Sequence, residues 1–224
     1  VGKPIEAIMH ATRPDMVKWQ KHPEHTFFAN GELYEKDDWR DPFVFWNEET
    51  SEYWMLLAAR QKDGLGLFKG VTGLCVSSDL ETWEVRPPLW APELYYTHEV
   101  PDLFKIGEWY YLLFSEFSGT MRTRYRMSRS LEGPWMEPAD DMFDDRAFYA
   151  AKSAGDENER VLFGWLATKD DDEDDSNWQW GGHIVAHELW QRDDGTLATK
   201  MPDTVAEPFE IDAPLSPTSS IGEW

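Results

Sequence analysis

The sequence predicts an all-β chain of β-propeller type. Three observations carry that reading. Strand hairpins follow one another with no long helical pattern between them. Two proline-centred runs echo each other: Trp39-Arg40-Asp41-Pro42-Phe43-Val44-Phe45 and His98-Glu99-Val100-Pro101-Asp102-Leu103-Phe104. A strand, turn and tryptophan element also recurs between the hairpins, at intervals of about 50 to 65 residues, as radial repeats require.

The hairpins come in order. Phe43 to Trp46 and Glu52 to Ala58 flank the polar stretch Asn47 to Ser51. Asp102 to Ile106 and Trp109 to Ser115 flank Gly107-Glu108, a tighter turn. Ala147 to Ser153 and Arg160 to Ala167 flank the turn-like Ala154 to Glu159. His183 to Trp190 and Thr196 to Met201 flank Asp193-Asp194-Gly195. The interleaved element reads His10 to Trp19, Leu74 to Trp83 and, more loosely, Arg126 to Trp135. Its Ser, Thr and Asp residues suit turns closed on the local backbone, and its Trp suits the gap between neighbouring sheets. The first copy has no hairpin before it, so the chain reads as starting inside a blade whose inner strands are missing. Residues 1–205 form the expected propeller, and 206–224 a Pro/Ser-rich surface tail or linker.

Composition narrows the partners. The formal charge of -22 argues against nucleic acid, an anionic membrane surface and polyanionic substrates, and is compatible with a neutral substrate or with a solubility role alone. The 13 Trp, 8 Tyr and 12 Phe suit strands and also offer flat faces for sugar rings. Cys75 is alone, so neither an internal disulfide nor a multi-cysteine metal site can form. The acidic block Asp170 to Asp175 lacks the spacing of a calcium loop and reads as solvated. No metal site and no cofactor are expected. Compartment and oligomeric state stay open.

Radial repetition brings Asp41 and Glu99 towards one axis. Two carboxylates facing one cavity can do acid–base chemistry on a sugar. At these residues the chain resembles glycoside hydrolase family 32, the β-fructofuranosidase, invertase and fructanase family, with relatives in families 43, 62 and 68. Arg40-Asp41-Pro42 matches the family's Arg-Asp-Pro motif, and Glu99-Val100-Pro101 its Glu-Cys-Pro motif with valine for cysteine. Phe148-Tyr149-Ala150-Ala151-Lys152, Phe163-Gly164-Trp165, Trp180-Gly181-Gly182 and Glu188-Leu189 fit its later blades. The resemblance runs from about Ala7 to Pro202.

The resemblance implies a five-bladed propeller that hydrolyses or transfers β-fructofuranosyl units of sucrose-, inulin- or levan-type substrates with retention. It implies Glu99 as general acid/base and Asp41 as transition-state stabiliser. Arg40 is expected to hold one of those carboxylates, with Trp39, His98, Tyr149, Trp178 and Trp180 as further substrate-binding residues. The family's nucleophile sits in an Asn-Asp-Pro motif, and none occurs here. An upstream segment carrying that motif is the expectation, and this chain alone is expected to have little activity. A family 43-like arabinan or xylan glycosidase and a non-catalytic sugar-binding propeller are the alternatives.

Overall fold

The computed structural model describes residues 5–64, 66–119, 121–144, 148–156 and 159–207. The strands are β1 (Ala7–Thr12), β2 (Gln20–Phe28), β3 (Tyr34–Asn47), β4 (Glu52–Gln61), β5 (Gly70–Ser77), β6 (Glu84–Trp90), β7 (Glu99–Ile106), β8 (Trp109–Glu116), β9 (Arg122–Ser128), β10 (Phe148–Gly155), β11 (Arg160–Lys169), β12 (Trp178–Gln191) and β13 (Leu197–Lys200). A short helix α1 (Asp203–Ala206) follows, and the acidic block opens with a 3-10 turn at Asp170–Asp172. The expected tail lies outside the described residues from position 208 onwards.

The strands form four antiparallel meanders in chain order: β1-β2, β3-β4-β5-β6, β7-β8-β9 and β10-β11-β12-β13. The third gains a partial outer edge from bridges between Met127 and Met136 and between Arg124 and Met142. Among the described residues each shared hydrophobic cluster joins sheets that are neighbours in the chain. Ile8 of the first sheet meets Tyr34, Trp39, Met55, Leu57 and Val71 of the second. Trp54, Leu56, Leu74 and Val76 of the second meet Leu103 and Leu112 of the third. Tyr111, Leu113 and Tyr125 of the third meet Phe148, Leu162 and Leu189 of the fourth. The leading strands touch in succession, β3 with β7 and β7 with β10. Sheets stacked in chain order with their first strands side by side are the arrangement of propeller blades.

The hairpins and turns behave as the residues dictate. Asn47 closes the first hairpin, its Oδ1 accepting from the Glu49 amide at 3.0 Å, and Ser51 takes φ 55. Gly107 at φ 58 makes the two-residue turn between β7 and β8 without steric penalty. Asp79 Oδ1 accepts from the Glu81 and Thr82 amides at 2.9 and 2.8 Å, and Asp15 Oδ1 from Val17 and Lys18 at 3.0 Å each. These turns aim the tryptophans. Trp83, directly before β6, stacks on Phe27 of the first sheet with centroids 6.4 Å apart. Trp135 packs into the cluster shared by the second and third sheets. Trp19 departs from the pattern: it is exposed and lies under the Arg13 guanidinium at 4.1 Å.

Because Trp83 ties two sheets together, Trp83→Ala is expected to destabilise the chain by about 2 kcal/mol, below the fully buried range because the ring is only partly covered. The check is a lowered urea midpoint at unchanged m-value. An unmoved midpoint would show that the ring does not tie the sheets.

Candidate active site

Three leading strands carry the same irregularity. In β3 the register with β4 slips between Arg40 and Phe43. In β7 it slips against β8 between Glu99 and Asp102. In β10 it slips against β11 between Tyr149 and Lys152. The residue after the first of each pair sits in the left-handed region: Asp41 at φ 58, Val100 at φ 44 and Ala150 at φ 52. For a β-branched residue such as Val100 that conformation is a true outlier, of the kind that gathers at functional sites. Each bulge re-aims the residue before it. Arg40, Glu99 and Tyr149 thus hold equivalent positions on three consecutive sheets.

Those three side chains meet. Arg40 Nη2 donates to Glu99 Oε1 at 2.6 Å, and the Tyr149 hydroxyl donates to Glu99 Oε2 at 2.5 Å. Arg40 Nη1 also donates to Asp38 Oδ1 at 2.6 Å. The bulge residues are linked as well: the Val100 amide donates to Asp41 Oδ2 at 3.0 Å, and the same carboxylate lies 3.9 Å from Arg40 Nε. Lys152 Nζ donates to the Pro101 carbonyl at 2.6 Å and sits over the Phe43 ring at 4.9 Å. Glu99 and Asp41 therefore share one guanidinium while each keeps part of its surface open.

Burial sets the electrostatics. It pushes the Asp41 carboxyl above the usual range, with the Val100 amide and Arg40 opposing. Burial likewise raises Asp38 and lowers Lys152. Burial in this anionic setting also raises the Tyr149 phenol, so it stays a hydrogen-bond donor to Glu99. For Arg40, burial works against the charge, but the hydrogen bonds to Asp38 and Glu99 outweigh it and lock the cation.

Glu99 and Tyr149 open into a cavity of about 450 Å³ with Phe117, Met121, Trp165, Trp178 and Gln179. Its size is that of a small-ligand site, and its walls are aromatic with a few polar groups. Trp178 thus stands at the cavity, while the side chain of Trp180 lies outside the described residues.

Trp39 and His98 do not reach the cavity. Each precedes a site residue on extended chain, and alternation sends it to the opposite face. Trp39 is fully buried against Tyr34, centroids 5.1 Å apart, and Phe27. His98 is also fully buried, packed by Trp90 and Phe114 at 4.8 Å each, with Nδ1 on the Thr72 hydroxyl at 3.1 Å. Burial, with Arg126 nearby, pushes its imidazole down to about 3, so it is a neutral core residue. The segment leading into Glu99 is held by a close approach: a Cβ on Gly70 would lie 2.6 Å from the Thr97 backbone.

Sequence reading missed Asp38, Phe117, Met121, Trp165 and Gln179. Trp165 was findable, since it pairs across strands with Tyr149. Gly164 beside it is required because the Phe148 ring occupies the space a Cβ would take. Phe117 and Met121 come from the loop after β8, where no periodicity points inward.

The fold and site define a β-propeller with Glu99 at an aromatic cavity and Asp41, outside the cavity lining, on the same guanidinium. The chain belongs to glycoside hydrolase family 32: the profile described as the Glycosyl hydrolases family 32 N-terminal domain matches residues 5–201. Solved structures agree on the fold. A family 32 β-fructofuranosidase from Bombyx mori is 18% identical with TM-score 0.67, covering 88% of this chain and 44% of its own. Fructan 1-exohydrolase IIa from Cichorium intybus is 19% identical with TM-score 0.66, covering 91% and 45%. An inulosucrase from Halalkalicoccus jeotgali, bound to kestose, is 15% identical with TM-score 0.62, covering 86% and 60%. The chain thus spans less than two thirds of each of these three structures. No curated protein matches it in sequence.

Proposed function

We propose that this chain is the acid/base-bearing part of a retaining β-fructofuranosidase acting on sucrose-, inulin- or levan-type substrates. The observation that carries the reading is Glu99, held between Arg40 and Tyr149 at the mouth of an aromatic cavity, with Asp41 on the same guanidinium. Glu99 protonates the departing glycosidic oxygen and then takes a proton from the incoming water. Asp41 accepts hydrogen bonds from sugar hydroxyls and offsets positive charge on the ring as the bond breaks. Arg40 orients both carboxylates. Tyr149 holds Glu99 in one rotamer, and Trp178 and Trp165 supply stacking walls.

A retaining mechanism needs a second carboxylate as nucleophile, about 5–5.5 Å from the acid. No Asn-Asp-Pro motif is present to supply the family's aspartate. That favours, as a second reading, a propeller that binds sugar without turning it over. The test is sugar release by the complete gene product from sucrose, inulin, levan, arabinan and xylan. Fructose release supports the proposal. Arabinose or xylose release moves the protein to the family 43-like chemistry, and binding without release leaves the second reading standing.

A further inference from the structure

We propose that the β1-β2 ribbon carries a transition-metal site built on His10 and His25, of a kind that takes Zn²⁺ or Ni²⁺. The site is separate from the carboxylate cavity and does not rest on the glycosidase reading. Three of the chain's 6 histidines, His10, His22 and His25, gather here. His10 faces His22 directly across the strands. The register then breaks between Ile8 and His10, so that Pro23 to Thr26 bulge opposite Met9 and bring His25 onto the same face. Ring centroids lie 5.2, 5.2 and 5.3 Å apart.

His10 Nδ1 and His25 Nδ1 are 3.0 Å apart and point at each other. Two nitrogens each about 2.05 Å from a tetrahedral zinc stand about 3.3 Å apart, so an opening of a few tenths of an ångström, with each ring tilted to turn its lone pair off the N···N line, admits the ion. Glu81 Oε2 sits 3.7 Å from His25 Nε2, on the far side of the ring. A carboxylate there favours the Nε2–H tautomer and leaves Nδ1 bare, which is how metal-binding imidazoles are commonly held. In the metal-free ribbon His10 donates Nδ1–H to that bare nitrogen. On metal binding His10 moves its proton to Nε2, both Nδ1 lone pairs face the ion, and no net proton is released. His22 is engaged at both nitrogens, by the Thr12 hydroxyl at 2.8 Å and Glu24 at 3.4 Å. It stacks on His25 at an interplanar angle of 11° and forms a wall. His10 and His25 line an open cavity of about 350 Å³, which gives the ion an entry path and room for completing waters. Imidazole donors suit zinc, nickel and copper. The site would clip two strands that make a sheet by themselves, the least stable unit of β structure.

The test is calorimetric titration of the metal-stripped 224-residue chain with zinc chloride, alongside thermal unfolding. One equivalent should bind, and a hundred-fold excess over Kd should raise Tm by about 5 to 10 °C. His10→Ala and His25→Ala should each weaken binding at least about ten-fold. His183→Ala, which alters an exposed histidine on another sheet, should not. His25→Gln serves if the alanine variant fails to fold. No zinc bound, or equal affinity in the His10 and His25 variants, would overturn the proposal.

Discussion

Glu99→Gln in the complete gene product is expected to lower kcat/KM for fructose release by about 10²- to 10⁴-fold, the usual worth of a positioned acid/base. The substitution is nearly isosteric. The amide oxygen still accepts from Arg40 and the amide nitrogen can donate to the Tyr149 oxygen, so the chain of side chains survives. What is lost is the proton. The Tm should therefore stay close to that of the wild type, and activated substrates with good leaving groups should be affected less than sucrose. An unchanged kcat/KM would remove Glu99 from the acid/base role.

Asp41→Asn is expected to separate function from stability. Activity should fall about 10²- to 10³-fold, as for removal of a preorganised electrostatic partner. Stability at pH 7 should rise. Burial holds the Asp41 carboxyl above its ordinary value. A group whose folded pKa is raised favours the fold most while protonated and loses that contribution as pH rises through the folded pKa. At neutral pH the ionised Asp41 thus weakens the fold, and asparagine lifts the penalty. Asparagine also tolerates the φ of 58 and can still accept from the Val100 amide. The check is Tm against pH for both proteins: the variant should be the more stable above the raised pKa, with the difference closing in acid. A variant less stable at pH 7 would mean that the attraction of Arg40 outweighs burial.

Much of this was legible because the repeat is written twice at short range. Aligning Pro42 with Pro101 already sets Arg40 against Glu99 and Asp41 against Val100, and the folded chain joins both pairs directly. The third copy is harder to see. It has Ala151 where the others have proline, yet Tyr149 takes the position equivalent to Arg40 and Glu99. Hairpins at Asn47 and Gly107 were legible from turn chemistry alone.

Side-chain direction at the edge of a bulge was not legible. Trp39 and His98 looked like site residues because they adjoin Arg40 and Glu99. Adjacency on extended chain is the reason they face away, and both lie in the core. The histidine cluster was hidden for a related reason. His10 and His25 belong to different strands, and only the break in register between Ile8 and His10 brings them into contact. No local periodicity encodes such a break.

Three equivalent bulges on consecutive sheets deliver Arg40, Glu99 and Tyr149 to one point, with Asp41 beside them. A crystal structure of the Glu99→Gln protein with sucrose bound tests it most directly. The fructosyl ring is expected in the cavity walled by Trp165 and Trp178, its glycosidic oxygen against residue 99 and ring hydroxyls on Asp41. Sucrose seated away from residues 41 and 99, or touching one with the other beyond a sugar's width, would contradict it.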